Sequence, residues 1–360
     1  MVPHLVMDVS GHGYGHAAMT LPILNALRRS LPKLKLTIRT SVPAAWLAER
    51  LEGECNYIDQ SDFGMAMVDS LHVRQNESYL AYSSIHESWN ERVSDAAVQL
   101  ASLEPTLLLS NVPYLSIAAA SKVGVPAIAM SSLNWADVFY HYCGHLLGAK
   151  AIWQQMADAY AAARTFLQLT PAMPMPSIRN GQGLGPVALL GRDRRVELRQ
   201  RFGWDADDII ALLTLGGIHT ELPVTRWPRL GRVRLVTGSK SEFSHPDIRS
   251  SAELEFPFID LVRSCDVIIS KPGYGIVTEA ACNGVPILLV SRPGWPEEAC
   301  FREWLARNGR VLTLTEQKLR TGDFVAEIQA IHAMPSPSVP PASGISEAVW
   351  ILSEYLQNCE

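Results

Sequence analysis

The densest run of reactive and ligand-binding residue types in the sequence is Ser270-Lys271-Pro272-Gly273-Tyr274-Gly275-Ile276-Val277-Thr278-Glu279-Ala280. Glycines at 273 and 275 let a backbone come close to a ligand, and the unpaired amides that open a following helix would face an anion there. A phosphate suits such a turn. Lys271 adds a full positive charge at its mouth. Glu279, about one helical turn further in, offers a carboxylate able to accept from two adjacent hydroxyls, as a ribose presents them. Lysine, glycines and carboxylate at this spacing are suited to a nucleoside diphosphate; the plainer reading of Lys271 and Glu279 is an ion pair flanking an ordinary helix start.

The elements that must hold these residues are legible around them. Val267-Ile268-Ile269 is short, β-branched and bounded by turn residues, which predicts a buried parallel strand. The segment after Gly275 is helix-forming and stops at Asn283-Gly284. The same order of strand, glycine turn and helix opens the chain. Leu5-Val6-Met7-Asp8-Val9 reads as a buried-strand run, Gly11-His12-Gly13-Tyr14-Gly15-His16 follows, and Leu21, Leu24, Leu27 and Leu31 then recur at helical spacing until Pro32. An apolar run at 34–38 completes a βαβ unit with a right-handed crossover. Further strands are predicted at 106–110 and 127–130, separated by a helix from about 114 to 123. In the second half they fall at 209–215, 233–237, 267–270, 287–290 and 311–314. An alanine-rich helix leading through Gly-Val-Pro into a strand occurs twice, at 124–126 and 284–286; the phrase is a common helix exit, or a sign of two similar domains. Residues 53–100, with Met65, Met67, Tyr79, Tyr82 and Trp89, read as a loop and helix beside a substrate cleft, or as an insertion with its own packing.

The expected fold class is α/β, with two tandem Rossmann-like doubly wound domains and a cleft between them. Residues 1–170 form the first domain, on the acceptor side, and 171–186, with three prolines and then three glycines, a linker. Residues 187–334 form the second, and 335–360 a proline-rich connector and a helix folding back on the first. A length of 360 residues suits two domains, and a 48% hydrophobic share supports buried sheets. A net charge of -5 argues against a general nucleic-acid binder. Six cysteines without paired spacing signal neither zinc nor a disulfide framework and fit a reducing cytoplasm. No signal peptide and no run of about 20 apolar residues is present, which leaves at most peripheral membrane association.

The glycine-histidine turn at 11–16, Gly216-Gly217 after the first strand of the second half, and the Lys-Pro-Gly-Tyr-Gly…Thr-Glu-Ala…Gly-Val-Pro phrase resemble the GT-B glycosyltransferases. Within them the chain looks like the MurG-type N-acetylglucosaminyltransferases and the glycosyltransferase-like half of plant arabinose kinases. The latter likeness reaches Gly11 to His16, Ser131-Ser132-Leu133-Asn134-Trp135-Ala136-Asp137 and Trp295-Pro296-Glu297-Glu298. The resemblance implies a metal-independent, inverting transfer from a nucleoside-diphosphate sugar, UDP-linked, to an unknown acceptor, with no cofactor beyond that donor; no Asp-x-Asp element stands out for a divalent cation.

The resemblance also implies roles. Lys271 would meet the donor diphosphate, Gly275, Ile276 and Val277 would supply helix-start amides beside Gly273, and Glu279 would bind the ribose. Gly13, Gly15, Gly216 and Gly217 would line ligand-binding turns. Glu297 and Glu298 fall where the MurG type carries a glutamine pair that contacts the donor sugar. His16 would be the catalytic base, since an imidazole can take a proton from an attacking hydroxyl, with Asp8 and His12 available to orient it; it could instead cap the helix or bind phosphate. Asn134, Trp135 and Asp137 would shape the acceptor pocket, or Trp135 simply fill the core. A nucleotide-sugar 2-epimerase of the same fold and a noncatalytic nucleotide-sugar-binding protein are the competing functions.

Overall fold

The computed structural model describes residues 2–60, 62–216, 221–238 and 245–357. The chain divides into two units. Residues 1–68, 72–187 and 343–360 form the first, and residues 69–71 and 188–342 the second.

The first unit is built on seven strands: β1 (His4–Val9), β2 (Lys35–Thr40), β3 (Asn56–Asp59), β4 (Leu107–Asn111), β5 (Ala127–Ser131), β6 (Thr165–Leu169) and β7 (Gly181–Leu184). They pair in the order β3-β2-β1-β4-β5-β6-β7, every pair parallel. Parallel sheets are covered on both faces, which is why β1, β4 and β5 are unbroken buried runs rather than alternating ones. The helix Gly15–Ser30 covers one face with Ala17, Leu21, Leu24 and Leu27, and Arg28 and Arg29 sit in its last turn, where the dipole favours cations. The C-terminal helix Gly344–Gln357 packs on that helix and on β7, and Glu347 accepts from the Gly185 amide at 2.8 Å.

Two stretches differ from the sequence expectation. The segment 171–186, read as linker, contains β7, and the first unit runs on to residue 187. Gly-Gln-Gly-Leu at a sheet edge buries only Leu184 and so carries no strand pattern. Residues 53–100 hold the edge strand β3 and the helices Gln75–Glu87 and Trp89–Ala101, the second of which packs on the helix Tyr114–Val123.

The second unit repeats the plan with six strands: β8 (Ile209–Thr214), β9 (Val233–Thr237), β10 (Ile248–Ser250), β11 (Val267–Ser270), β12 (Ile287–Val290) and β13 (Val311–Leu314). Their order is β10-β9-β8-β11-β12-β13, again all parallel. Ala211, Leu213, Val267, Ile269, Leu288 and Val290 meet Trp227, Phe324 and Ile328 in one apolar core.

The repeated Gly-Val-Pro phrase is the same helix cap in both units. Gly124 (φ 73°) and Gly284 (φ 71°) turn left-handed, and the next amides, Val125 and Val285, reach back to Ala120 O at 3.0 Å and Ala280 O at 2.8 Å.

In each sheet the first strand has its successor on one side and a later strand on the other: β1 lies between β2 and β4, and β8 between β9 and β11. At such a point the loops leaving two adjacent strands diverge to opposite faces, opening a crevice beyond their carboxyl ends. Residues 10–16 lie beyond the end of β1, with Asn111 the last residue of β4 beside them, and Gly216 and Lys271 lie beyond the ends of β8 and β11 in the second unit. Among the described residues no helix is long and apolar enough to cross a membrane.

Candidate functional site

In the second unit, β11 delivers Lys271 at the crevice, and the helix Tyr274–Cys282 starts three residues later with Gly273 as its N-cap. A glycine cap has no side-chain oxygen to satisfy the first amides of the helix, so they stay open to a ligand. Among the described residues the amides of Gly275 and Ile276 find no acceptor. Val277, by contrast, donates to Gly273 O at 3.1 Å and is fully buried, so its amide is not available. A β-carbon on Gly275 would meet nothing within 4 Å. The fold itself therefore does not require this glycine; it leaves room for something approaching from outside.

Lys271 runs past Gly216, whose φ of 80° holds the end of β8 in a left-handed turn. Among the described residues no hydrogen bond or ion pair engages the Lys271 ammonium. Burial pushes it down to about 8, helped by the nearby Arg292 and opposed by Glu297 and Asp69. Gly217, which follows Gly216 in sequence, lies outside the described residues. Glu279 has no side-chain partner among the described residues, and burial pushes its carboxyl up to about 8. Lys271 and Glu279 are both half-buried, and an ionisable group shifted by desolvation without a protein partner is a common mark of a site prepared for a ligand.

Glu297 and Glu298, adjacent in sequence, are used differently. Glu298 accepts from Ser291 Oγ at 3.2 Å and from the Arg292 amide at 2.9 Å, which ties it to the loop after β12. Glu297 is only 5% exposed, accepts from Trp295 Nε1 at 3.0 Å and adds negative potential at Lys271. Arg292, which the sequence reading passed over, is buried in the same group. Its guanidinium lies 3.6 Å from the Trp295 ring centroid, and its Nε donates to Leu71 O at 3.3 Å. It thus places a second cation near Lys271.

In the first unit, β1 ends in the turn containing Gly13 (φ 72°), and the helix Gly15–Ser30 begins without a side-chain cap. Gly15 is exposed, and a β-carbon there would meet nothing within 4 Å, as at Gly275. His16 is 5% exposed, and its Nδ1 lies 2.8 Å from Asn111 Oδ1. The Asn111 amide cannot be turned the other way. Its Nδ2 donates to Thr20 Oγ1 at 2.8 Å and to His16 O at 3.3 Å, while Thr20 gives its own hydroxyl proton to His16 O at 2.7 Å. That network assigns the proton to Nδ1 and leaves Nε2 as the basic nitrogen. Burial pushes the ring down to about 4, against the raising effect of the Asn111 hydrogen bond, so the imidazole is neutral at pH 7.

Neither residue expected to orient His16 does so. Asp8 is held by both nitrogens of a fork from Arg39, at 2.6 Å each, and accepts from Ser116. The pair is forced by sheet register, since Asp8 and Arg39 are direct partners on β1 and β2. His12 Nε2 is bonded to Met65 O at 3.1 Å. The orienting residue is Asn111, 95 positions away in sequence.

Asn134 caps the helix Trp135–Cys143 by accepting from the Asp137 amide at 2.8 Å, and Asp137 takes further bonds from Asn134, Ser177 and Trp153. Both side chains therefore fix a loop. Trp135 is fully buried, with its ring centroid 5.1 Å from that of His12 and 5.7 Å from that of His16; its Nε1 has no partner among the described residues. Asp62, also unforeseen, accepts from the Gly11 amide at 2.8 Å while its other oxygen is buried without a partner. Burial pushes that carboxyl up to about 6. Among the described residues no cluster of three or more His, Cys, Asp or Glu side chains could hold a metal ion.

No family model matches the chain. L-arabinokinase of Arabidopsis thaliana is 24% identical over 315 residues, covering 84% of this chain, and the chain spans 30% of that protein's length. Among solved structures, the calicheamicin glycosyltransferase CalG4 matches with a TM-score of 0.68 at 14% identity, covering 100% of both chains. UDP-glucose:anthocyanidin 3-O-glucosyltransferase in complex with UDP matches with a TM-score of 0.63 at 11% identity, covering 99% of each. The glycosyltransferase VinC in complex with DTDP matches with a TM-score of 0.52 at 17% identity, covering 98% of this chain and 99% of that one. What is shared at such identities is architecture: this chain has the two-domain GT-B fold of the glycosyltransferases.

Proposed function

We propose that this chain is a glycosyltransferase that moves a sugar from a nucleoside-diphosphate sugar to an acceptor nucleophile, with inversion and without a metal or resident cofactor. The observation that carries the reading is the open helix start at Gly275 and Ile276 with the unpaired Lys271 at its mouth and the unpartnered Glu279 within it. Helix amides and a lysine suit the diphosphate, where negative charge grows as the sugar leaves. A carboxyl without a protein partner suits the two ribose hydroxyls. Arg292 adds positive potential, and Glu297 is the one of the adjacent carboxylates with a link to that group. UDP is the first nucleotide to test, since UDP and DTDP are the nucleotides held by two of the structural neighbours.

The first unit supplies the base. Nε2 of His16 takes the proton of the acceptor as its oxygen forms a bond to the anomeric carbon and the bond from that carbon to the diphosphate breaks, its electron pair leaving with the nucleotide. One displacement without a covalent intermediate inverts the anomeric centre. The Arabidopsis relative is more than three times as long as its matching part, so its whole activity is not carried over.

The test is to incubate the protein with UDP-, TDP- and GDP-sugars, with and without a mixed acceptor panel, in buffer containing EDTA, and to follow nucleotide release and glycoside formation by mass spectrometry. Acceptor-dependent release is expected. A donor epimerised without acceptor would point to a 2-epimerase, and binding without turnover to a noncatalytic nucleotide-sugar-binding protein; either outcome overturns the proposal.

A further inference from the structure

The partner of His16 is an amide, and an amide can orient an imidazole but cannot carry charge for it. Transfer of the acceptor proton to Nε2 makes an imidazolium inside the protein, and what faces that cation decides its cost. Asn111 offers a carbonyl dipole at 2.8 Å from Nδ1. Among the described residues the environment of His16 includes the Trp135 ring, His12, which is bonded to Met65 O, and Thr20, whose hydroxyl is turned to the His16 carbonyl. Among the described residues, Asp8 at this end of the sheet is held by Arg39 and Ser116, and Asp62 accepts from the Gly11 amide through one oxygen and has no bond to His16 through the other. No charged group contributes to the shift of His16.

We infer that Asn111 is the positioning residue that makes Nε2 the base while withholding any charge from it, and that the acceptors taken by this site are therefore nucleophiles with an acidic proton, such as phenols, enols or carboxylic acids, rather than aliphatic alcohols. The inference rests on the transferase reading above. Proton transfer is efficient when the two groups are matched in acidity. A phenol of the tyrosine type has a pKa of about 10 and a carboxylic acid about 4. Water, the simplest stand-in for an aliphatic hydroxyl, has about 15.7. A neutral, buried imidazole pushed down to about 4 is far below all but the most acidic of these, and each step down in acceptor acidity widens the gap. For an acidic acceptor the oxygen bonds to the anomeric carbon as the bond from that carbon to the diphosphate breaks with its electron pair, and the acceptor proton passes to Nε2 in the same step, at less cost than from an aliphatic hydroxyl.

Two measurements test this. The first needs no substrate: nitrogen NMR of protein labelled at histidine, with the His16 signals assigned by their loss in His16→Gln. The expected result is protonation at Nδ1 and a bare Nε2 across pH 5 to 8, with no titration near 6.5. A proton on Nε2, or titration at the ordinary value, would overturn the inference. The second compares matched acceptors such as phenol and cyclohexanol, which differ in acidity far more than in size, using the donor found by screening. The phenol is expected to react roughly 100-fold faster or more, and Asn111→Asp to raise the His16 titration and narrow that gap. Equal rates in the native protein would overturn this inference and leave the transferase reading standing. Transfer to neither acceptor class would overturn the transferase reading itself.

Discussion

Gly216 and Lys271 approach so closely across the switch point of the second sheet that a β-carbon on the glycine would stand 3.2 Å from Cε of the lysine and 3.7 Å from its Nζ. They follow neighbouring strands, β8 and β11, which pair in parallel up to Thr214 and Ser270. The glycine thus makes the space through which the lysine reaches the crevice. Gly216→Ala must hold an alanine at φ 80°, a conformation that costs about 1–2 kcal/mol, and must also push the lysine aside. Nucleoside diphosphate affinity is expected to fall about tenfold, with a small drop in Tm. Calorimetric titration and a thermal melt of the same preparation check both.

Gly275 makes the opposite case, since its backbone is helical and nothing occupies the place of its β-carbon. Gly275→Ala is expected to leave the fold as stable or to stabilise it by about 0.5–1 kcal/mol, while weakening diphosphate binding through the added methyl. Chemical denaturation and titration should move in opposite directions. If both fall together, the glycine serves the fold.

The carboxyl of Glu279 gives a pH signature of opposite sign to that of an ion-paired carboxylate. Its value is raised to about 8 in the folded chain, against about 4.3 in the unfolded one. Between those values the native state holds a proton that the unfolded state has released, so stability falls as pH rises through the window. Glu279→Gln removes the ionisation. The variant should match the native protein near pH 4 and exceed it by roughly 2–4 kcal/mol at pH 9, while losing nucleotide affinity. Denaturation series across that range measure the difference directly.

Asp8 and His16 lie at the same end of one sheet and are expected to fail in different ways. Asp8→Ala strands the Arg39 guanidinium, which is 3% exposed, a loss of about 3–5 kcal/mol that should show in Tm and expression. His16→Gln should leave the melt within a few degrees and reduce turnover about 100-fold or more. A kcat loss in Asp8→Ala without any loss of stability would contradict the separation of roles.

The strands that carry the two crevices were legible because parallel strands buried on both faces are unbroken apolar runs, as Val267-Ile268-Ile269 is. The glycine turns were legible because their residue types are rare together. Asn111 was not, because its contact with His16 spans 95 residues and exists only through the pairing of β1 with β4. Asp62 was hidden likewise in a stretch without periodic pattern, and its bond to Gly11 spans 51 residues. The difference between Glu297 and Glu298 is invisible in sequence, since it depends on which of two neighbouring carboxylates the loop after β12 captures. Val277 looked like one of the helix-start amides; where the helix begins decides that its amide is already bonded to Gly273 O.

The account rests most heavily on a nucleoside diphosphate being held at the start of the helix Tyr274–Cys282. Titration calorimetry with uridine, thymidine and guanosine diphosphates on the native protein, Lys271→Ala and Glu279→Ala measures this most directly. Binding of at least one nucleotide, weakened tenfold or more in both variants while their melts remain cooperative, is the predicted result. Native affinity retained in both variants would contradict it.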